Sequence, residues 1–164
     1  MDRRVSGGRT GPSRDIIIRR AEASDLDALL AIENAAFTTD RLERRNFRHA
    51  VRSPTMICLV ACKAGEVLGY GIVERRRNAT AARLTSIAVS PHGVGHRIGT
   101  RLLEALETNA RAEGPKRMRL EVRADNAAAR RLYDRAGYGL VETLDDYYED
   151  GSAALRFEKA LAGG

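Results

Sequence analysis

The sequence predicts an α/β fold in which a central mixed sheet, mostly antiparallel and of about seven strands, carries helices on both faces. Two observations lead to this prediction. A β-hairpin spans residues 55–77, and a single strand–helix–strand unit follows at residues 80–124. Hairpins make antiparallel neighbours and strand–helix–strand crossovers make parallel ones, so a sheet that contains both is mixed. The remaining helices then cover its two faces.

The elements before the hairpin are one strand and two helices. Residues 15–21 form a short β-branched run, which is typical of a strand. Ser24 is expected to cap the first helix, because apolar residues recur at helical spacing directly after it. Residues 38–53 predict a second helix with Thr39 or Asp40 as its cap, and Pro54 follows its end.

Strands and helices alternate along the second half of the chain. The hairpin turns at residues 64–66, between two runs rich in Val, Ile and Leu. A strand at residues 80–90 leads through a glycine-bearing turn into a helix at residues 98–113. The last predicted elements are a strand at 116–124, a short helix at 125–138 capped by Asp125 or Asn126, and strands at 139–144 and 152–161.

The composition is that of one globular domain. The chain has 164 residues, of which 43% are hydrophobic and 30% charged, and we find no internal repeat or linker. Residues 1–14 carry four arginines and no apolar core, so they are expected to form a disordered basic tail rather than a signal peptide. Residues 15–164 are then a single domain, and the apolar stretch at 55–62 is too short to cross a membrane.

The net charge of +6 raises the question of nucleic-acid binding. The tail supplies half of that charge, since four arginines outweigh one Asp within residues 1–14. Aromatic residues make up only 5% of the chain, which argues against a surface on which bases stack. A solvated, arginine-rich surface is therefore favoured over a nucleic-acid partner.

The two cysteines indicate a reduced, cytoplasmic protein. Cys58 and Cys62 lie four residues apart on one predicted strand, about 13 Å between their Cα atoms, which is too far for a disulfide. Buried free thiols are typical of the cytoplasm. Together with three histidines they make no metal-binding pattern, so no metal is expected.

The glycine-bearing turn before the long helix could bind a phosphate. A Walker-type loop is excluded because no Lys stands in the required position. A dinucleotide loop fits poorly because Gly93, Gly95 and Gly99 are spaced one residue too widely, and only one strand–helix–strand unit is present. Arg97 stands in the turn where a tightly wrapped loop would favour a small residue.

A third loop fits better. From about Ile16 to Leu161 the chain resembles the GNAT family of acetyl-CoA-dependent N-acetyltransferases, whose loop reads Gln/Arg-x-x-Gly-x-Gly/Ala. The aligned segment is "VGHRIG", in which Gly95 and Gly99 match, Val94 replaces the usual Gln or Arg, and Arg97 replaces the usual Gly. The later segment "LEVRADNAAARRLYDRAGY" closely resembles the family's second signature. The likeness is closest to the ribosomal-protein alanine N-acetyltransferase branch, which shares this run and a late tyrosine pair, here Tyr147-Tyr148.

The resemblance implies acetyl-CoA as co-substrate and a set of residues that would bind it. A helix N-terminus binds pyrophosphate through backbone N–H groups, which is the role expected of the loop. The end of the preceding strand would pair with the pantetheine amides, and the Val89 amide would face the thioester oxygen. The implied binding residues are Ile87, Ala88, Val89, Val94, Gly95, His96, Arg97, Ile98, Gly99, Thr100, Asn126 and Tyr133.

Two residues carry the chemistry that the resemblance implies. Glu121, the acid on the polar face of its strand, would accept the proton of the amine, and Tyr133 would donate one to the thiolate that leaves. The structural alternatives are a charge ladder in which Glu121 balances Arg119 and Arg123, and a ring of Tyr133 that only packs at a helix edge. Asn126 could both cap its helix and bind the cofactor arm.

The acceptor is expected to be a primary amine, first of all the α-amine of a peptide or protein N-terminus. The acidic run at residues 145–150 could attract a cationic amine, but it could equally be a solvated turn. The alternatives are an acetyltransferase for small-molecule amines and a catalytically silent coenzyme A-binding module. Glu121 and Tyr133 argue against a silent module. The sequence leaves the oligomeric state open, a homodimer included.

Overall fold

A computed structural model describes residues 15–161, and the tail expected at residues 1–14 lies outside them. The strands are β1 (Ile17–Arg20), β2 (Met56–Lys63), β3 (Glu66–Glu74), β4 (Ala81–Val89), β5 (Arg117–Arg123), β6 (Gly139–Leu144) and β7 (Ala154–Ala160). The α-helices are α1 (Leu26–Ala36), α2 (Arg44–Arg52), α3 (Ile98–Ala112) and α4 (Ala127–Arg135).

The strands form one seven-stranded sheet in the order β1-β2-β3-β4-β5-β7-β6. The pair β4–β5, joined through α3, is parallel, and the other neighbours are antiparallel. The predicted mixed, mostly antiparallel sheet is therefore confirmed. The β2–β3 hairpin turns at Ala64 and Gly65, both with positive φ, which is the geometry that a two-residue hairpin loop favours.

Two hydrophobic cores lie on opposite faces of this sheet. Along β2, Ile57, Leu59 and Ala61 face the core that includes α3, whereas Cys58, Val60 and Cys62 face the core formed with α1 and α2. This alternation follows from the two-residue period of a strand. Both cysteines are buried and free, as the sequence predicted, and burial raises the pKa of Cys58 to about 12.

Helix α3 packs very closely on the centre of the sheet. A Cβ atom on Gly71 of β3 would lie 2.5 Å from Leu106 Cδ1, and one on Gly69 would lie 2.9 Å from Ile98 Cγ2. The two glycines therefore let the helix approach the strand backbone, which fixes where its N-terminus meets β4.

Two predicted helix starts were wrong. Ser24 caps nothing; Glu22 and Asp25 make a reciprocal capping box around a short 3-10 turn, and α1 follows from Leu26. The second helix begins at Arg44, capped by Glu43 and Asn46, so neither Thr39 nor Asp40 starts it. The segment between α1 and α2 is consequently a longer loop than predicted.

Two negative findings apply to residues 15–161. No helix there is long and apolar enough to cross a membrane. Within the same range, no three His, Cys, Asp or Glu side chains come together in a way that could hold a metal ion.

Candidate active site

The parallel strands β4 and β5 diverge half-way along their length. Their pairing runs from Ala81–Arg117 to Leu84–Leu120 and then stops. At that point β4 carries a bulge: Ile72 of β3 pairs with Ser86 and Val73 pairs with Leu84, so Thr85 is the extra residue. Because a bulge bends its strand, it turns the end of β4 away from β5 and opens a cleft between them.

The end of β4 presents backbone groups to this cleft. The amide of Ser90 donates to Leu68 O on the β3 side, at 2.7 Å. Backbone groups of alternate residues point in opposite directions along an antiparallel strand. The N–H and C=O groups of Ile87 and Val89 therefore face the cleft, whereas those of Ala88, which pairs with Tyr70, face β3.

The loop after β4 ends in an unusual conformation. Arg97, directly before α3, is left-handed with φ 56° and ψ 35°, a region that residues other than glycine rarely adopt. Gly95 also has positive φ, at 92°. The amides of Ile98, Gly99 and Thr100 lie in the first turn of α3, where a helix leaves its N–H groups without internal acceptors. The amide of His96 already donates to Gly93 O at 3.4 Å.

A groove of about 400 Å³ starts at this loop and runs between α3 and α4. Arg97 and Thr100 line its upper end, Leu132 and Ala136 line the α4 side, and Lys159 lines the far end. Val94, in contrast, is 77% exposed and points away from the protein. Arg97 is also exposed, so its side chain does not fill the loop that its backbone forms.

Glu121 lies directly after Leu120, the last residue of β5 that pairs with β4, at the mouth of the cleft. Its side chain is only 5% exposed, and both oxygens are engaged: Oε1 accepts from Arg83 Nε at 2.9 Å and Oε2 from Arg156 Nε at 2.8 Å. Arg119 pairs instead with Glu158, and Arg123 with Asp150. The predicted ladder partners of Glu121 were therefore wrong, although a ladder exists.

Tyr133 reaches the cleft from α4. Its ring is 5% exposed and packs edge-on against Tyr138, with the ring centroids 5.7 Å apart. Burial raises the pKa of its hydroxyl, and nearby Tyr148 adds to the shift. No residue within 15–161 hydrogen-bonds this hydroxyl. The oxygen is not fully buried, so it retains access to solvent.

Asn126 caps α4, as the sequence allowed. Its Oδ1 accepts from the amide of Ala129 at 3.1 Å, which leaves the Nδ2 group available for another partner. The helix ends at Arg135 with Ala136 as its C-cap, and Gly137, with a φ of 93°, takes the predicted C′ position.

The loop between β6 and β7, residues 145–153, contains Tyr147 and Tyr148 and is called the tyrosine-bearing loop; it borders the cleft on the side of Glu121. Arg83, which binds Glu121, also donates to the Tyr147 hydroxyl at 3.4 Å. Arg123 lies 4.7 Å from the centre of the Tyr148 ring and pairs with Asp150 at 2.5 Å. The acidic run is thus partly neutralised, while Asp145, Asp146 and Glu149 remain exposed.

The α1–α2 loop comes close to Tyr148 at Asp40. Burial raises the pKa of Tyr148, and the charges of Glu121 and of Asp40, in that loop, contribute to the rise. Tyr148 therefore lies within electrostatic range of Glu121, Asp40 and Tyr133. The structure brings together side chains from β5, α4 and two loops that are far apart in the chain.

Sequence reasoning missed a buried polar chain beside the cleft. Glu33 of α1 is 2% exposed and accepts hydrogen bonds from the Leu42 amide and the Tyr70 hydroxyl. The Tyr70 hydroxyl is bonded in turn to Ser86 Oγ, 2.7 Å away. The available signal was an acid at the helical spacing of the apolar face, four residues after Leu29.

Comparison with known proteins adds to this geometry. Residues 25–138 match the family described as the acetyltransferase (GNAT) family. Over 141 residues the chain is 35% identical to an uncharacterized N-acetyltransferase of Methanocaldococcus jannaschii, which covers 85% of this chain and 88% of that protein.

Two further matches bear on the acceptor. The crystal structure of the ribosomal-protein-S18-alanine N-acetyltransferase from Escherichia coli superposes with a TM-score of 0.80 at 26% identity, covering 92% of this chain and 96% of that one. An IAA acetyltransferase of Azospirillum brasilense is 28% identical over 157 residues, which are 96% of this chain and 98% of that protein.

Proposed function

This chain belongs to the acetyltransferase (GNAT) family and is an N-acetyltransferase, and from that premise we propose that it acetylates the α-amine of a peptide or protein N-terminus. The transfer is direct, with donor and acceptor bound together. The observation that carries the proposal is the double contact of Arg83, which bonds both Glu121 and Tyr147. It ties the candidate base to the tyrosine-bearing loop on the acceptor side.

The residues at the cleft fit acetyl-CoA, which enzymes of this family use and which supplies an acetyl thioester. The open edge of β4, at Ile87 and Val89, offers backbone groups to an extended amide chain, as a neighbouring strand would. The first turn of α3 offers N–H groups to a pyrophosphate. Arg97, at the start of the groove between α3 and α4, adds positive charge on the same path, whereas Lys159 is paired with Glu107 at 3.0 Å.

Within that arrangement the Val89 amide is the donor that we assign to the thioester oxygen. A backbone N–H fixed by the sheet needs no reorganisation when charge develops, which is what makes such donors effective. Asn126 Nδ2 would hold the cofactor arm while Oδ1 keeps its bond to Ala129. His96, whose amide is already bonded, would contribute its side chain rather than its backbone.

Glu121 is the proton acceptor in this proposal. Each carboxylate oxygen has two lone pairs, so the bonds to Arg83 and Arg156 orient the group and leave acceptor sites for a water or an amine. An α-amine has a reference pKa of about 8, against about 10.4 for a lysine side chain. A carboxylate base is therefore better matched to the α-amine, a fraction of which is already neutral near pH 7.

Tyr133 is the proton donor. A tyrosine hydroxyl is protonated at neutral pH, which is the state that an acid requires, and burial raises the pKa of Tyr133 further. No residue within 15–161 bonds its hydroxyl, so the proton is free to move to the thiolate as it leaves.

The experiment that tests the proposal offers several amines in parallel. The protein is incubated with acetyl-CoA and four acceptors: a peptide with a free N-terminus and no lysine, the same peptide with a blocked N-terminus and one lysine, a polyamine and an aminoglycoside. Release of free thiol gives the rate, and mass spectrometry gives the site. We expect acetylation of the free N-terminus; modification confined to the lysine peptide or to the small amines would overturn the proposal.

The second candidate is an acetyltransferase for small-molecule amines, and it is kept because the chain is similar over nearly its whole length to an IAA acetyltransferase, which is not named for a protein N-terminus. The same panel separates the two. A small-molecule enzyme would leave both peptides unmodified while thiol is still released with one of the small amines.

A further inference from the structure

The buried chain of hydrogen bonds at Glu33 joins two parts of the site that the sheet does not connect directly. One end is the α1–α2 loop, through the amide of Leu42 at 2.8 Å from Glu33 Oε2. The other end is the bulge of β4, through Tyr70 and Ser86. The first part borders the opening for the amine, and the second carries the backbone edge assigned to the thioester.

The direction of the bonds within the chain is fixed by its members. The hydroxyl of Tyr70 donates to Glu33, so Ser86 must donate to the Tyr70 oxygen, since a hydroxyl has one proton. Each link therefore depends on the next, and Glu33 is the common acceptor for both sides. Tyr70 is fully buried, and its ring packs edge-on against Phe47 of α2 at 5.2 Å, which holds the hydroxyl in place.

Glu33 is a buried carboxyl group without a cationic partner among residues 15–161. It is 2% exposed, and no Lys, Arg or His of residues 15–161 pairs with it. Its neighbours on the same face of α1 are apolar, including Leu29 and Ile32. A carboxyl group is costly to bury unless hydrogen bonds replace those it makes with water. An apolar residue would fill this position at lower cost, but it could not accept bonds from a loop amide and a strand hydroxyl at once.

We propose that Glu33 is a positioning residue for the acceptor amine: it holds the α1–α2 loop through Leu42 and the β4 bulge through Tyr70 and Ser86. The loop and the bulge are thereby kept in one relative position, so that the amine meets the thioester at a constant angle and distance. The inference rests on the proposed function, because it takes the opening between the α1–α2 loop and the tyrosine-bearing loop as the entry of the amine.

The test uses two variants that alter the hydrogen-bond chain at Glu33 and one control variant that does not. Tyr70→Phe removes the link to the bulge and keeps the ring that packs on Phe47. Glu33→Gln keeps both links in form, because the amide oxygen can accept from Leu42 while the amide nitrogen donates to the Tyr70 oxygen. Ile32→Val is the matched control, since it removes one buried methyl group from the same helix without touching the chain.

We expect Tyr70→Phe to lower kcat/KM for the amine by about ten- to a hundredfold, the usual effect of a misplaced reactant. The Kd of this variant for acetyl-CoA, measured by calorimetry, should stay within about twofold of wild type. The separate variant Glu33→Gln should retain most of the wild-type kcat/KM, because it keeps both links. If Tyr70→Phe lowers only the melting temperature, as Ile32→Val does, and leaves kcat/KM unchanged, Glu33 is a structural residue and the proposal fails.

Amide hydrogen exchange separates this failure from a failure of the proposed function, because it needs no acceptor. Tyr70 does not contact Leu42 directly. If the hydrogen bonds through Glu33 hold the α1–α2 loop in place, Tyr70→Phe should nevertheless speed exchange at the Leu42 amide by about tenfold relative to Ile32→Val. Unchanged exchange at Leu42 overturns the inference whichever amine the enzyme acetylates. If instead the wild-type protein acetylates a small amine, kcat/KM is measured with that amine, and only the proposed acceptor is lost.

Discussion

Arg97 stores backbone strain at the N-terminus of α3. Its φ of 56° is one that a side chain with a Cβ atom adopts at a cost of roughly 1–2 kcal/mol, whereas glycine adopts it freely. The side chain lines the groove between α3 and α4 instead of packing into the core. Strained backbone of this kind clusters at binding sites, and Arg97 lies beside the groove proposed for the cofactor.

Arg97→Gly should therefore raise the free energy of unfolding. We expect a gain of about 1 kcal/mol in urea denaturation, which is the relief of strain less the extra entropy of glycine in the unfolded chain. Arg131→Gly is the control, because Arg131 is an exposed residue inside α4, where glycine should cost about 1 kcal/mol. Equal losses in the two variants would mean that Arg97 is not strained in solution.

Glu121 and Tyr133 have separate tasks, so their variants should lose turnover without losing the cofactor. Glu121→Gln and Tyr133→Phe should each lower kcat by about 10² or more, the usual contribution of one acid or base. The Kd for coenzyme A, measured by calorimetry, should remain near that of wild type. Glu142→Gln is the matched control for Glu121→Gln, because Glu142 binds the same Arg156 from the outer strand.

The outcomes of that comparison are distinct. Loss of kcat in Glu121→Gln with full activity in Glu142→Gln supports a role in chemistry. Equal, mild losses in both would make Glu121 one member of a structural ladder. Full activity in Tyr133→Phe would leave its ring as a packing group against Tyr138.

At the scale of elements, the cleft depends on where β4 meets α3. The bulge at Thr85 opens β4 from β5, and the close packing of Leu106 on Gly71 brings the first turn of α3 to the end of β4. The open edge of β4 and the N-terminus of α3 thus present their backbone groups to the same cleft. This is why backbone groups, rather than side chains, can provide most of the cofactor contacts.

Gly99→Glu tests the helix end directly. A Cβ atom at Gly99 meets nothing closer than Leu132 Cδ2 at 3.6 Å, so the fold should tolerate a side chain there. A carboxylate in the first turn would nevertheless repel a pyrophosphate and cover the N–H groups. We expect the Kd for coenzyme A in calorimetry to rise by about tenfold or more, since one repulsive contact costs at least ~1.4 kcal/mol at a desolvated site. Gly139→Glu, which adds the same charge in open space on β6, should leave it unchanged.

The elements themselves were largely predictable because their signals are local. The hairpin, the crossover and the cap at Asn126 each follow from neighbouring residues. The start of α2 was missed because Glu33 takes the amide of Leu42, a contact nine residues away that holds residues 38–43 outside the helix. The partners of Glu121 were missed for a similar reason, since Arg83 and Arg156 come from strands whose register the sequence does not specify.

At the scale of the molecule, the two faces of the sheet have different characters. Helices α1 and α2 cover one half of one face, and the other half, on β5, β7 and β6, carries charges of alternating sign. One row runs from Arg83 through Glu121 and Arg156 to Glu142, and another joins Arg117 and Arg119 to Glu158. The family assignment and the general fold could be predicted from motifs, whereas this pairing is a product of the assembled sheet.

The ion pairs make the stability of the whole molecule depend on pH. Within residues 15–161, three carboxyl groups have a pKa lowered on folding: Asp25 by its bonds to Arg19, Glu158 by Arg117 and then Arg119, and Asp150, to about 2, by the Ser152 amide and then Arg123. In the unfolded chain these groups titrate near their reference pKa values of about 3.9 for Asp and 4.3 for Glu. The unfolded state therefore binds more protons than the folded state below about pH 5.

The free energy of unfolding should accordingly be constant from pH 7 to about pH 5 and then fall, through pH 4 and 3, towards the folded pKa values. Urea denaturation at a series of pH values measures it. Asp25→Asn should lower stability at pH 7, because Asn pairs less strongly with the Arg19 guanidinium, and it should make the fall on acidification shallower. Ala28→Gly in α1, which destabilises the same helix without a titrating group, should shift the whole curve down and keep its slope. A slope in Asp25→Asn as steep as that of wild type would show that this ion pair does not contribute to the acid sensitivity.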